Sequence, residues 1–237
     1  MIKLDDISKS YGGRELFSHF SAEFTEHRVT CILGASGVGK TTLINIAAGL
    51  VTPDGGKVVF ETDGKERPLR GSYVFQEHRL LLWLDVHDNL DLVLKNARKP
   101  DGAFFTKNER SELIRQQLAL VGLEAYELAN INELSGGMVQ RVALCRAFLY
   151  PSEVLFLDEP FKELDPKLKD ELYETFFRAY ENDSSKRTVL FVTHDISEAL
   201  RLADKIVVLA GSPANIVGSF EKSEFSEELT EKIKELM

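Results

Sequence analysis

The stretch Gly34-Ala35-Ser36-Gly37-Val38-Gly39-Lys40-Thr41-Thr42 combines bare backbone, a cation and a hydroxyl, which together are what a chain needs to hold a phosphate group. It follows the pattern G-x-x-x-x-G-K-[ST]. The glycines let the backbone fold tightly enough to aim successive N–H groups inward. That makes an anion nest, reinforced by the positive end of a helix expected over 40–49. Lys40 would reach the β- and γ-phosphates, and the Thr41 hydroxyl would ligate Mg²⁺. The alternatives are a chance glycine-rich turn and a dinucleotide fingerprint. The glycine spacing is G-x-x-G-x-G followed by Lys-Thr, which is not the G-x-G-x-x-G of the fingerprint.

Two further clusters bear on the same chemistry. Val154-Leu155-Phe156-Leu157-Asp158-Glu159 places two carboxylates at the end of an apolar run, where ligands collect in open α/β sheets. Asp158 would bind Mg²⁺ through its water shell, and Glu159 would polarise a water attacking the γ-phosphate. Alone, such a pair is an ordinary solvated strand end; beside a phosphate loop it has a partner. Upstream lies Leu134-Ser135-Gly136-Gly137-Met138-Val139-Gln140-Arg141. A Ser-Gly-Gly helix start offers a hydroxyl and open backbone donors, a second phosphate site in chemical terms. The alternative is an ordinary capped helix, with Met138, Val142, Cys145 and Leu149 packing inward at i, i+4, i+7 and i+11.

These groups need a framework, and the hydrophobic period supplies one. Segments 2–4, 16–24 and 57–61 mix apolar and polar residues at short period, with turns at Tyr11-Gly12-Gly13 and Pro53-Asp54-Gly55-Gly56, as an antiparallel sheet with one wet face would. Segments 29–33, 154–157, 188–192 and 206–209 are unbroken apolar runs, the mark of strands buried on both faces. Helical patterns over 111–121 and 136–150 lie between them, the latter ended by Pro151. The expected fold is α/β: a parallel-rich core with an antiparallel β part (1–76 and 150–220), a helical insertion (77–149) and a C-terminal helix (221–237), within one domain. The length of 237 residues, 43% of them hydrophobic, is ample for that core. A net charge of −9 repels phosphate backbones, so nucleic acid is not an expected partner. No stretch approaches the roughly 20 apolar residues needed to cross a bilayer, and the start lacks signal-peptide character, so a cytoplasmic location is expected. Cys31 and Cys145 sit in apolar segments and read as buried reduced thiols.

With Leu134 to Arg141 in place, the chain resembles the ATP-binding-cassette (ABC) family from Ile2 to about Gly218. The resemblance implies a P-loop NTPase core and an ATPase with ATP and Mg²⁺ as cofactors. It implies further site residues: Tyr11 stacking on adenine, Gln76 sensing Mg²⁺ and the attacking water, Asp165 in a loop that communicates across a dimer, and His194 contacting the γ-phosphate. It also implies a head-to-tail homodimer, in which Ser135, Gly136, Gly137 and Gln140 of each copy complete the site of the other. Within the family, the run from Gln76 to Leu90 is similar to importers of the nitrate, sulfonate and taurine group, with relatives that carry pyrimidine precursors. Two departures stand out: Leu82 where the group has Pro, and Lys162-Glu163 where it has a Gly-Ala pair. The implied function is the ATP-hydrolysing subunit of an importer of a small anionic or heterocyclic solute. It would lie on the cytoplasmic face of the membrane, with separate permease subunits and an extracytoplasmic solute-binding protein as partners. Trp83, beside Leu81, Leu82 and Leu84, would line the groove that receives the permease; the alternative places it in the core. An export subunit, and a soluble ABC-type ATPase of DNA repair or translation, are the competing functions. Repair ATPases of this type insert long coiled coils between Gln76 and Ser135 equivalents, and this segment has no sustained heptads.

Overall fold

The computed structural model describes every residue of the chain except Asp63, Pro100, Glu163, Ser184 and Ser185. In chain order the elements are β1 (Ile2–Tyr11), β2 (Arg14–Phe24), β3 (Val29–Gly34), α1 (Lys40–Ala47), β4 (Gly55–Thr62), β5 (Lys65–Glu66), β6 (Gly71–Val74), α2 (Val86–Lys95), α3 (Lys107–Leu120), α4 (Gly136–Leu149), β7 (Val154–Asp158), α5 (Pro166–Glu181), β8 (Thr188–Thr193), α6 (Ile196–Leu202), β9 (Lys205–Gly211), β10 (Ala214–Glu221) and α7 (Glu227–Leu236). They form two compact units. The first comprises Met1–Gly71, Phe156–Glu159 and Arg187–Met237; the second comprises Ser72–Leu155 and Pro160–Lys186.

In the first unit β2, β1, β4 and β5 form an antiparallel sheet in that order. Phe20, Ala22 and Phe24 of β2 are buried while Ser21 and Glu23 between them are exposed, the alternation of a sheet with one wet face. β1 runs well past the 2–4 stretch that sequence suggested. Asp6 (φ 56) and His19 (φ 51) leave the regular ladder and shift its register, which breaks the period-2 alternation of the strand.

The larger sheet has the order β10-β9-β3-β8-β7-β6, with β7 passing from the second unit into the first. β3 runs parallel to β8 and β9, Ile32 pairing with Val192 on one side and Val207 on the other. Every residue of β3, β7 and β8 is buried, so these strands read as unbroken apolar runs. β10 is antiparallel to β9 and was not expected, because its exposed Asn215, Ile216 and Val217 show no buried period. α7 buries Leu229 and Ile233, four residues apart and so on one face of the helix.

The second unit is helical. Leu90 and Leu94 of α2, Ile114 and Leu118 of α3, and Val142 and Cys145 of α4 share one core. Cys31 and Cys145 are buried free thiols, and burial raises the pKa of both, which removes the thiolate that a nucleophile would need. Among the described residues no helix is long and apolar enough to cross a membrane.

Candidate nucleotide site

β3 ends at Gly34, and the loop that follows turns through two left-handed glycines, Gly37 (φ 80) and Gly39 (φ 109), before α1 begins. Gly39 precedes α1 without a side-chain cap, so the N–H groups of the first helical turn face the loop unscreened by a side chain. Lys40 is 4% exposed, and its Nζ donates to the carbonyls of Gly34 at 2.8 Å and Ala35 at 3.0 Å. The ammonium thus sits at the throat of the loop, where an anion drawn by the backbone donors would meet it.

The neighbouring strand ends bring the acids. Thr41 donates its hydroxyl to Asp158 Oδ1 at 2.9 Å, and Asp158 is 5% exposed. Two hard oxygen donors this close suit a small divalent cation, which takes one or two protein oxygens and fills the rest of its shell with phosphate and water. Glu159 follows in a left-handed conformation (φ 45), its N–H donating to Val192 of β8 at 3.0 Å. A β-carbon in that region is strained and persists only where the surroundings hold it. The strain turns the carboxylate to within 4.0 Å of Lys40 Nζ and 3.4 Å of His194 Nδ1. His194 lies between the end of β8 and α6, whose cap Asp195 accepts from the Ser197 and Glu198 N–H groups. Thr193 donates to Glu198 at 2.7 Å and fixes the same corner; sequence gave no sign of that contact. The first unit therefore gathers Lys40, Thr41, Asp158, Glu159 and His194 at the adjacent ends of β3, β7 and β8. Tyr11, at the end of β1, is half exposed, with Lys9 Nζ 5.2 Å from its ring centre.

In the second unit Gln76 is exposed on a bend two residues past the end of β6. Ser135 caps α4, its Oγ accepting from the Met138 N–H at 3.4 Å, and Ser135 and Gly136 are exposed. Gly137 is buried against Leu168, so closely that an added β-carbon would come within 2.4 Å of Leu168 Cδ1. Gln140, three residues further along α4, turns inward. It is 2% exposed, and its amide donates to the Pro160 carbonyl, so it braces the segment after β7. Asp165 is exposed and caps α5 through the Leu168 N–H at 3.1 Å; Glu163, the second residue of the Lys162-Glu163 departure, lies outside the described residues. Trp83 is 77% exposed and Leu82 55%, which excludes the core placement. The buried amide of Asn89 holds their turn, accepting from the Leu81 N–H and donating to the carbonyls of Leu81 and Asp85.

A family model described as ABC transporter matches residues 17–162. The chain belongs to the ABC transporter family. Among curated ABC relatives, the nitrate import ATP-binding protein NrtD of Synechococcus elongatus is 40% identical over 189 residues, 79% of this chain and 67% of that one. The bicarbonate transport ATP-binding protein CmpD of the same species is 37% identical over 222 residues, 91% of this chain and 77% of that one. The solved dimeric structure of the ATP-binding cassette MJ0796, in a post-hydrolysis state bound to ADP and Pi, matches with a TM-score of 0.78. It is 25% identical, over 95% of this chain and 100% of that one. The α/β fold expected from sequence is thus the fold of an ABC cassette.

Proposed function

We propose that this chain, an ATPase of the ABC family, binds MgATP, pairs with a second copy of itself, and powers import of a small anionic or heterocyclic solute through separate membrane subunits. It works from the cytoplasmic face of the membrane. The observation that carries the reading is the convergence of Lys40, Thr41, Asp158, Glu159 and His194 on the mouth of the phosphate loop. Backbone N–H groups of 34–42 and the Lys40 ammonium hold the phosphates. Thr41 and Asp158 would hold the cation, with Gln76 as its further ligand, and magnesium would supply charge neutralisation at the phosphates. Glu159 accepts a proton from the attacking water and His194 bonds the γ-phosphate. Tyr11 stacks on the base. Ser135, Gly136 and Gly137 of the second copy close each site, so ATP favours the dimer because only that state completes both halves. Asp165, the exposed cap of α5, communicates between the copies. Purified chain is expected to lose ATP turnover in EDTA and regain it with added Mg²⁺; turnover undiminished by the chelator would remove the cation from Thr41 and Asp158.

Import is favoured over export, repair or translation by the relatives named for nitrate import and bicarbonate transport, both moving small oxyanions. The membrane partner would meet Trp83 and Leu82, two large apolar side chains held out by a rigid turn. An aromatic anchor of this kind costs about 2 kcal/mol or more on truncation, about thirtyfold in affinity. Trp83→Ala is therefore expected to keep ATP affinity and thermal unfolding in the isolated chain while losing co-purification with the membrane subunits and transport. A variant that melts early and binds ATP poorly, or one that still co-purifies fully, would move the docking surface elsewhere.

A further inference from the structure

Helix α4 bears a functional group near each end. Ser135 caps its N-terminus, followed by Gly136 and Gly137. Eleven residues on, about 16 Å along the axis at 1.5 Å per residue, Arg146 turns its guanidinium onto the loop after β6. Nη1 donates to the Arg79 carbonyl at 2.7 Å and Nη2 to the His78 carbonyl at 2.8 Å. These carbonyls lie two and three residues past Gln76. Bonds from a cation to carbonyls are the shorter, stronger class, and the fork of a guanidinium fixes direction as well as distance.

The loop itself is built to be held. Arg79 is left-handed (φ 47), rare for a residue with a β-carbon. Its guanidinium lies 3.8 Å over the Phe75 ring, which stacks on Tyr73 at 4.3 Å between centres. Such a conformation persists where neighbours over-determine it, and the two bonds from Arg146 are among those neighbours. Leu80, next in the chain, enters the same core as Val142 and Cys145 of α4. One helix thus sets the position of the loop from both its main chain and its exit.

We propose that Arg146 is a positioning residue that makes the loop carrying Gln76 and the helix start at Ser135–Gly137 move as one body, and so couples the two nucleotide sites of the dimer. This rests on the reading above, in which Gln76 serves the nucleotide of its own chain and Ser135–Gly137 the nucleotide held by the second copy. α4 then bears on one site through its own start and on the other through the loop that Arg146 holds. When the nucleotide of the second copy draws on the start of α4, Arg146 carries that displacement to Gln76, and each site responds to occupancy of the other.

The test uses the full chain with MgATP and the variants Arg146→Gln and Arg146→Lys, with Gln76→Ala as control. Trp83, the one tryptophan, lies four residues past Arg79 and reports on the loop by its emission. Hill coefficients are bounded by the number of sites, so the parent chain is expected near 2 and Arg146→Gln near 1, with ATP affinity and melting temperature retained. Turnover should fall about tenfold, within the range that coupling between sites carries, and the ATP-induced change in Trp83 emission should disappear. Arg146→Lys keeps the cation but not the fork and is expected to fall between. Parental cooperativity and turnover in Arg146→Gln would overturn the proposal. So would early melting with lost ATP binding in both variants, which would make Arg146 a residue of the fold alone. If Gln76→Ala turns over normally, the reading of the loop fails; if it is slow while Arg146→Gln is normal, only the coupling fails.

Discussion

Glu159→Gln is expected to bind MgATP as well as the parent chain, to hydrolyse it about 10²- to 10⁴-fold more slowly, the usual scale of a lost general base, and to accumulate as an ATP-dependent dimer. Glutamine has nearly the shape of glutamate, so the left-handed turn at φ 45 and the main-chain bond to Val192 are retained. What is lost is a group that can accept a proton. Binding should not suffer, because the change removes a negative charge 4.0 Å from Lys40 in a pocket meant for phosphate. The dimer accumulates because hydrolysis is what removes the γ-phosphate bridging the two halves. Gel filtration with MgATP, beside a phosphate-release assay, decides the matter. A variant that turns over at the parental rate would place the base elsewhere, and His194, 3.4 Å from the carboxylate, would be the next residue to replace.

What sequence revealed of this site depended on how local each feature is. The phosphate loop and the buried strands β3, β7 and β8 were legible because their patterns are complete within a few residues, and complete burial of each strand leaves no polar residue to interrupt the run. The strand β10 was not legible, since an edge strand with exposed Asn215, Ile216 and Val217 carries no period to detect. Side-chain direction was harder still. Gln140 stands in a motif whose first members, Ser135 and Gly136, face solvent, yet the helical turn carries it, like Gly137, inward, in its case to the Pro160 carbonyl. Trp83 posed the converse problem: its type argued for the core, and only the Asn89-braced turn, a contact across eight residues, holds it outside. Arg146 gave no signal at all, because an arginine in the last turn of a helix is explained by the helix dipole alone. Its bonds to the carbonyls of His78 and Arg79 join segments 67 and 68 residues apart.

Lys40→Ala is expected to bring ATP binding below the range a fluorescent-analogue titration can detect. Two losses act together. A charge-assisted bond to phosphate is worth about 1.5–3 kcal/mol, which is about 10- to 150-fold in affinity. The ammonium also lies 4.0 Å from Glu159, close to the Thr41–Asp158 pair, so its removal leaves two carboxylates facing an incoming polyanion without the nearest compensating charge. The loop should keep its shape, since its turns are set by Gly37 and Gly39 and not by the lysine. The Gly34 and Ala35 carbonyls lose the donor now 2.8 and 3.0 Å away, and water entering the vacated space can bond them. Melting temperature should therefore change far less than affinity, which separates a lost ligand contact from a lost fold. Lys40→Arg keeps the charge but must fit a larger group into a position only 4% exposed, and should bind ATP between the other two. Unchanged affinity in Lys40→Ala would remove this loop as the phosphate site, because among the described residues no other cation at the ends of β3, β7 and β8 is buried in its throat.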